Sequence, residues 1–297
     1  MSRTLAQIFR GYRERFRFRY GPRIANWRLQ RATVKARRKI KAIGPIRLLI
    51  DNTVLDHATT HETAWIQSGL PTNDPNGLGT GNAARIRVHG DNSDPRAYRN
   101  VCYLTGIAHL SRIMAISLCS SDELEEERAA QPAGRFRGYG YFDYNLFEDA
   151  RFEIIGEPAQ TMIGPLGFSV ALHKEQQFQR MRDRRKTDPI YDALVRRLGE
   201  KSSNDAWHIM EAERNGVFCF LTMDFKLLNN MDRQSKFEPI KSLNTMVLSP
   251  EQFGQKLGIS PVDPSVMSYH RASFPVRSDL SMPDGKRRPS FTYDSSK

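Results

Sequence analysis

The chain has 297 residues, with 45 Arg or Lys against 33 Asp or Glu and a formal charge of +12. That length holds one large domain or two small ones, with enough apolar residues for a sizeable core. No stretch approaches the roughly 20 apolar residues that span a bilayer; the longest uninterrupted apolar run, residues 217–221, has five. Residues 1–30 lack the apolar centre of a secretory signal. Their Arg-rich, acid-poor character keeps an organellar transit peptide as an alternative to a cytoplasmic setting. Cys102, Cys119 and Cys219 are odd in number and widely spaced, so they read as buried free thiols in a reducing compartment and not as a disulfide framework or metal knuckle.

Charge is concentrated at the start. Residues 1–44 hold fourteen Arg or Lys and one acid, Glu14, so the rest of the chain sums to about −1. Such an extension is expected to bind polyanions through phosphate contacts and counterion release. Leu5, Ile8, Phe9, Tyr12 and Phe16 fall at helical spacing. Phe16, Phe18 and Tyr20 interleave with Arg15, Arg17 and Arg19, a texture suited to stacking bases and holding phosphates. Docking on the chain's own core, a partner or an acidic membrane surface is the alternative. Residues 24–43 predict a second basic helix ended by Gly44-Pro45, with Arg37, Arg38 and Lys39 joining Arg13 as candidate phosphate contacts.

Residues 46–50 predict a buried parallel strand, and Asp51 stands at its carboxyl end. Residues 52–67 are expected to form a helix; His57 and His61, four apart, suit a solvated face better than a metal pair because no acid completes a motif. Residues 70–97 read as an insertion, loop-rich and functional or mobile. Its Gly77–Gly81 run lacks the Lys-Ser/Thr and the strand that a phosphate loop needs. A helix over 97–111 and a strand over 113–118 follow. Ser120-Ser121-Asp122 then signals a helix start, with Glu123 at the turn and Glu127 one turn further along the same face. Residues 131–187 read as a second insertion, aromatic at first and then basic, in which Arg184 and Arg185 could form a phosphate-contacting rail. Helices over 188–198 and from 203, with Asp205 at the start of the latter, lead to a strand over 217–221 that runs into Thr222-Met223-Asp224. A last strand and helix close a core of residues 45–260, and the Pro- and Ser-rich residues 261–297 are expected to be a disordered tail.

Alternating strands and helices predict an α/β fold, a mainly parallel sheet in a three-layer α/β/α sandwich. Right-handed crossovers would bring Asp51, Glu123, Asp205 and Asp224 to one rim of that sheet. Four neighbouring carboxylates repel one another, and hard divalent cations relieve that repulsion. The chemistry that follows is metal-assisted hydrolysis of a nucleic-acid backbone.

The run Leu48-Leu49-Ile50-Asp51-Asn52-Thr53-Val54-Leu55 resembles the opening strand of PIN-domain nucleases. Ile116-Ser117 followed by Glu123-Leu124 is similar to their second motif. Asn204-Asp205, Ala212, Gly216 and Leu221-Thr222-Met223-Asp224 resemble their third and fourth, and Val247-Leu248-Ser249-Pro250-Glu251-Gln252-Phe253 their last strand and helix. The resemblance covers residues 46–258 in patches and implies a three-layer sheet, Mg2+ or Mn2+, and RNA cleavage. Asp51, Glu123, Asp205 and Asp224 would be the catalytic metal ligands, with Asn52 and Thr222 orienting them. Small members of that family include toxins, so an inhibitory protein partner is one expectation; a homo-oligomer is another. Two rivals stand beside it. Haloacid-dehalogenase-like phosphatases need a second Asp two residues after the first, where this chain has Thr53. A PIN-like domain without activity would instead serve as a nucleic-acid-binding or partner-binding module.

Overall fold

The computed structural model describes residues 5–67, 80–90, 92, 94–130, 143–156, 170–267 and 273–277. Five short strands form a parallel sheet: β1 (Arg47–Ile50), β4 (Ser117–Ser121), β6 (Phe152–Ile155), β7 (Cys219–Leu221) and β8 (Met246–Leu248), in the order β6-β4-β1-β7-β8. Side chains alternate across these strands and separate into two cores. Leu48, Ile50, Leu118, Cys219 and Leu221 pack with α1 (Leu5–Ala32), α2 (Val34–Ile43), α4 (Pro95–Arg112) and α10 (Pro250–Leu257). Leu49, Cys119 and Phe220 face the other way, onto α5 (Asp122–Ala130), α6 (Val170–Thr187), α7 (Pro189–Leu198), α8 (Ser203–Arg214) and α9 (Phe225–Gln234). The result is a three-layer α/β/α fold. From β1 the chain steps outward through β4 to β6, then returns to the other side of β1 as β7. The sheet therefore has its topological switch point between β1 and β7, where open α/β sheets hold ligands.

The structure departs from the sequence reading in several places. The helix after β1 is only α3 (Asn52–His57); the next residues form β2 (Thr59–Gln67). Thr59, Thr60, Thr63, Trp65 and Ile66 are β-branched or aromatic, which suits an extended strand once a partner is present. β2 pairs antiparallel with β3 (Thr80–Arg87), a strand within the loop-rich stretch, and with β5 (Tyr144–Asn145). β9 (Ser273–Arg277), within the expected tail, pairs with β3 and completes a second, four-stranded sheet. Residues 260–267 also pack on the body: Ser260 N–H donates to Ala32 O at 2.9 Å, Val262 N–H to Cys102 O at 2.9 Å, and Met267 is buried. β4 begins four residues later than predicted, because residues 113–116 are used in a reversal with Met114 at φ 55°. Part of the expected second insertion supplies β6, an edge strand of the main sheet. Most of the Gly77–Gly81 run lies outside the described residues.

α10 opens with a complete capping box, Ser249 bonding the Gln252 N–H and the Gln252 side chain bonding the Ser249 N–H. It lies close against α4, with Gly254 facing the Tyr103 ring, so that a Cβ there would sit 2.3 Å from Tyr103 Cδ1. Gly254→Ala is expected to destabilise the fold by roughly 1–3 kcal/mol through overpacking, read as a lower urea midpoint with an unchanged m-value.

Candidate functional site: an acidic rim at the centre of the sheet

Asp51 leaves β1 with its N–H donating to Leu221 O at 3.0 Å, and its own carbonyl accepts from Val54 and Leu55 as α3 begins. Two hydroxyls converge on Oδ2 of its carboxylate, Thr53 Oγ1 at 2.5 Å and Thr222 Oγ1 at 2.6 Å. Each hydroxyl in turn accepts a backbone N–H from the turn after β7: Met223 N–H to Thr53 and Asp224 N–H to Thr222. Two short relays thus tie the β7 turn to one oxygen of Asp51. Asp224 caps α9, accepting from the Lys226 and Leu227 N–H groups, so the helix dipole favours its negative charge. Asn52 Nδ2 donates to Leu124 O at 2.9 Å and joins the same turn to α5.

Burial pushes the Asp51 carboxyl up; the hydroxyls of Thr222 and Thr53 and the charge of His208 pull the other way, and Glu127 adds a further upward push. Asp205, in the first turn of α8, is pushed up to about 6 by burial and by the charges of Asp51 and Asp224, against the pull of His208. Asp51, Asp205 and Asp224 therefore share one electrostatic field. The fourth acid in it is Glu127. Its carboxylate accepts from Gln177 Nε2 at 3.0 Å and Asn204 Nδ2 at 2.9 Å, and meets His208 Nε2 at 3.3 Å. Burial opposes its ionisation, yet His208 and these donors hold it below the usual carboxylate range. His208 is buried, but Glu127, Asp51 and Asp205 together raise it to about 9. The histidine is thus a built-in cation beneath the acids.

Glu123 has different partners from the other acids. Its Oε2 pairs with Arg180 at 2.9 Å, and the same guanidinium reaches Glu126 at 2.7 Å. Glu123 lines a separate cavity of about 320 Å³ with Arg180, Arg184, Trp207 and Glu211. The available signal for Glu127 was the Asn204/His208 pair, four apart on one face of α8 and matched to an acid a turn beyond Glu123. Thr53, read only as the residue that removes the phosphatase acid, supports Asp51 directly.

The basic candidates divide in the same way. Arg184 pairs with Glu211 at 3.5 Å and lies over the Trp207 ring, and Arg185 bridges Asp192 and Glu200. Lys39 Nζ donates to Lys256 O and Arg37 to Gln30 O, while Arg38 is exposed on α2. Arg13, Arg15, Arg17 and Arg19 are exposed on α1. His57 stacks on His89 at 5.7 Å, and His61, buried on β2, is held down at about 4 by burial and by Arg85 and Arg87.

Among the described residues no group of three or more His, Cys, Asp or Glu side chains is placed to hold a metal ion. The charge chemistry nonetheless fits a hard cation: Asp205 is raised first by burial and then by the charges of Asp51 and Asp224, whose repulsion a divalent ion would relieve. Mg2+ is commonly held by one or two carboxylates with its own waters, which does not require three direct protein ligands. No protein-family model, curated protein or solved structure matches the chain.

The histidine makes stability pH-dependent. Its folded value, about 9, lies above its ordinary 6.5, so its contribution is full below pH 6.5 and is lost as pH rises through about 9. The Glu127 contribution has the opposite sense: present at neutral pH, lost as pH falls through its depressed value. Urea melts are expected to show wild-type stability falling by on the order of 2 kcal/mol from neutral pH to pH 9.5, with most of that fall absent in His208→Gln.

Proposed function

We propose that the protein is a metal-dependent nuclease, with single-stranded RNA as the favoured substrate and a reducing, cytoplasmic setting. One observation carries this reading: Asp51 and Asp224 follow the paired strands β1 and β7 at the switch point of a parallel sheet and are joined through the Thr222 hydroxyl. Asp51, Asp205 and Asp224 would hold Mg2+ or Mn2+, with Glu127 in the place foreseen for Glu123. When bound, such an ion supplies Lewis-acid stabilisation of a phosphodiester and lowers the pKa of water. Thr53 and Thr222 fix the orientation of the Asp51 carboxylate through its Oδ2. The α9 N-terminus stabilises the charge of Asp224. Glu127 and Asn204 hold His208 and α8 in place beneath the acids, and the His208 charge limits the repulsion among them.

A second reading rests on the same histidine. If His208 supplies all the neutralisation the acids need, the rim takes no metal and the domain is a nucleic-acid-binding or partner-binding module without hydrolytic activity.

The deciding experiment incubates wild type, Asp51→Asn and Asp224→Asn with labelled single-stranded RNA and DNA in Mn2+, Mg2+ or chelator. Cleavage by wild type alone, stopped by chelator, is the expected result. Thr222→Val, which keeps the acids and removes one relay, should cut roughly 10–100-fold more slowly. Absence of cleavage together with absence of Mn2+ binding by calorimetry would favour the second reading.

A further inference from the structure

A long exposed apolar surface among the described residues lies on α1, a helix that supplies none of the acidic rim. The second half of that helix docks through Ala25, Leu29 and Ala32, all buried. Its other side carries Phe9, Tyr12, Phe16, Tyr20, Ile24 and Trp27 at successive spacings of three and four, which is one stripe of a helix. Exposure along the stripe runs from 40% at Ile24 to 72% at Phe9, apart from the half-buried Tyr20. At 1.5 Å per residue it is about 27 Å long. By the same spacing, Arg15 and Arg19 flank one edge and Arg17 and Arg28 the other, while Arg13, Arg23 and Arg31 fall within the band, all exposed. Arg31 lies 5.1 Å from the Trp27 ring centre and Arg19 lies 5.7 Å from that of Tyr20.

We infer that this stripe seats α1 on an anionic lipid bilayer, parallel to its surface. An aromatic band edged on both sides by guanidinium groups matches the boundary between acyl chains and charged headgroups. The rings sink to the level of the glycerol backbone, and the arginines reach outward along the helix flanks to the phosphates. Charge complementarity selects this occupant over a second copy of the chain, because two such helices face to face would set one Arg ladder against another. Phe16 and Tyr20 pack on each other, 4.8 Å apart and tilted by 40°, which leaves no gap for a base between them; stacking on outer ring faces is the mode left to nucleic acid. The helix lies on the membrane and does not cross it, in keeping with the finding that no described helix is long and apolar enough to span one. This inference does not rest on the nuclease reading.

The test is flotation of the full-length protein with vesicles of phosphatidylcholine alone and of a two-to-one mixture with phosphatidylserine. One variant combines Phe9→Ser with Phe16→Ser, and a second combines Arg15→Glu with Arg19→Glu. These side chains project from the body of the protein, so circular dichroism and the thermal midpoint should match wild type. Binding to the mixed vesicles, weak binding to phosphatidylcholine, and a fall of roughly tenfold or more in both variants are expected. Failure to float with the mixed vesicles would overturn the inference. So would binding that survives the paired serine substitutions, since charge alone would then account for it. Binding of a labelled single-stranded RNA that the serine pair weakens, without any vesicle binding, would assign the stripe to nucleic acid instead.

Discussion

Crowding of negative charge at the junction of β1 and β7 is the constraint around which this molecule is arranged. Burial and neighbouring carboxylates both push the Asp51 and Asp205 carboxyls up. The fold answers with three different devices. Asp51 receives two hydroxyls, Asp224 receives the open N–H groups of α9, and Glu127 receives a buried histidine together with two amides. Asp205 receives the least, and it is the acid raised to about 6. A carboxylate left in that condition is the one whose properties depend most on what enters the site.

The devices come from elements far apart in sequence, which explains why they were only partly legible. Asp51 and Asp224 could be read directly, since each follows an apolar run and a short strand leaves little freedom in where its last side chain falls. The capping box of α10 and the Asp188 cap follow from local chemistry alone. Thr222 was foreseen as a support for the acids because it lies beside one of them. The choice between Glu123 and Glu127 was not local. It depends on Arg180 reaching α5 from α6, and on Asn204 and His208 reaching it from α8. No periodicity within α5 contains that information.

The strand errors have a related cause. Residues 59–67 carry both helical and extended patterns, and pairing with residues 14 to 26 positions later settles the matter in favour of β2. β9 has little apolar periodicity of its own and is defined by its partner β3. In both cases the hydrogen-bonding edge of another strand supplied the decisive free energy, and a reading by composition sees only the segment itself.

That small sheet also bears on how the protein is made. The five-stranded sheet needs nothing beyond Leu248 to be complete, and its covering helix ends at Leu257. The outer edge of β3 waits for residues 273–277. While the chain is emerging from the ribosome, the five-stranded core can close before its flank does, and β3 spends that interval with bare N–H and C=O groups on display. An open edge of this kind invites pairing with a neighbouring nascent chain. Truncation just upstream of β9 would therefore leave the central layers intact and make the product sticky.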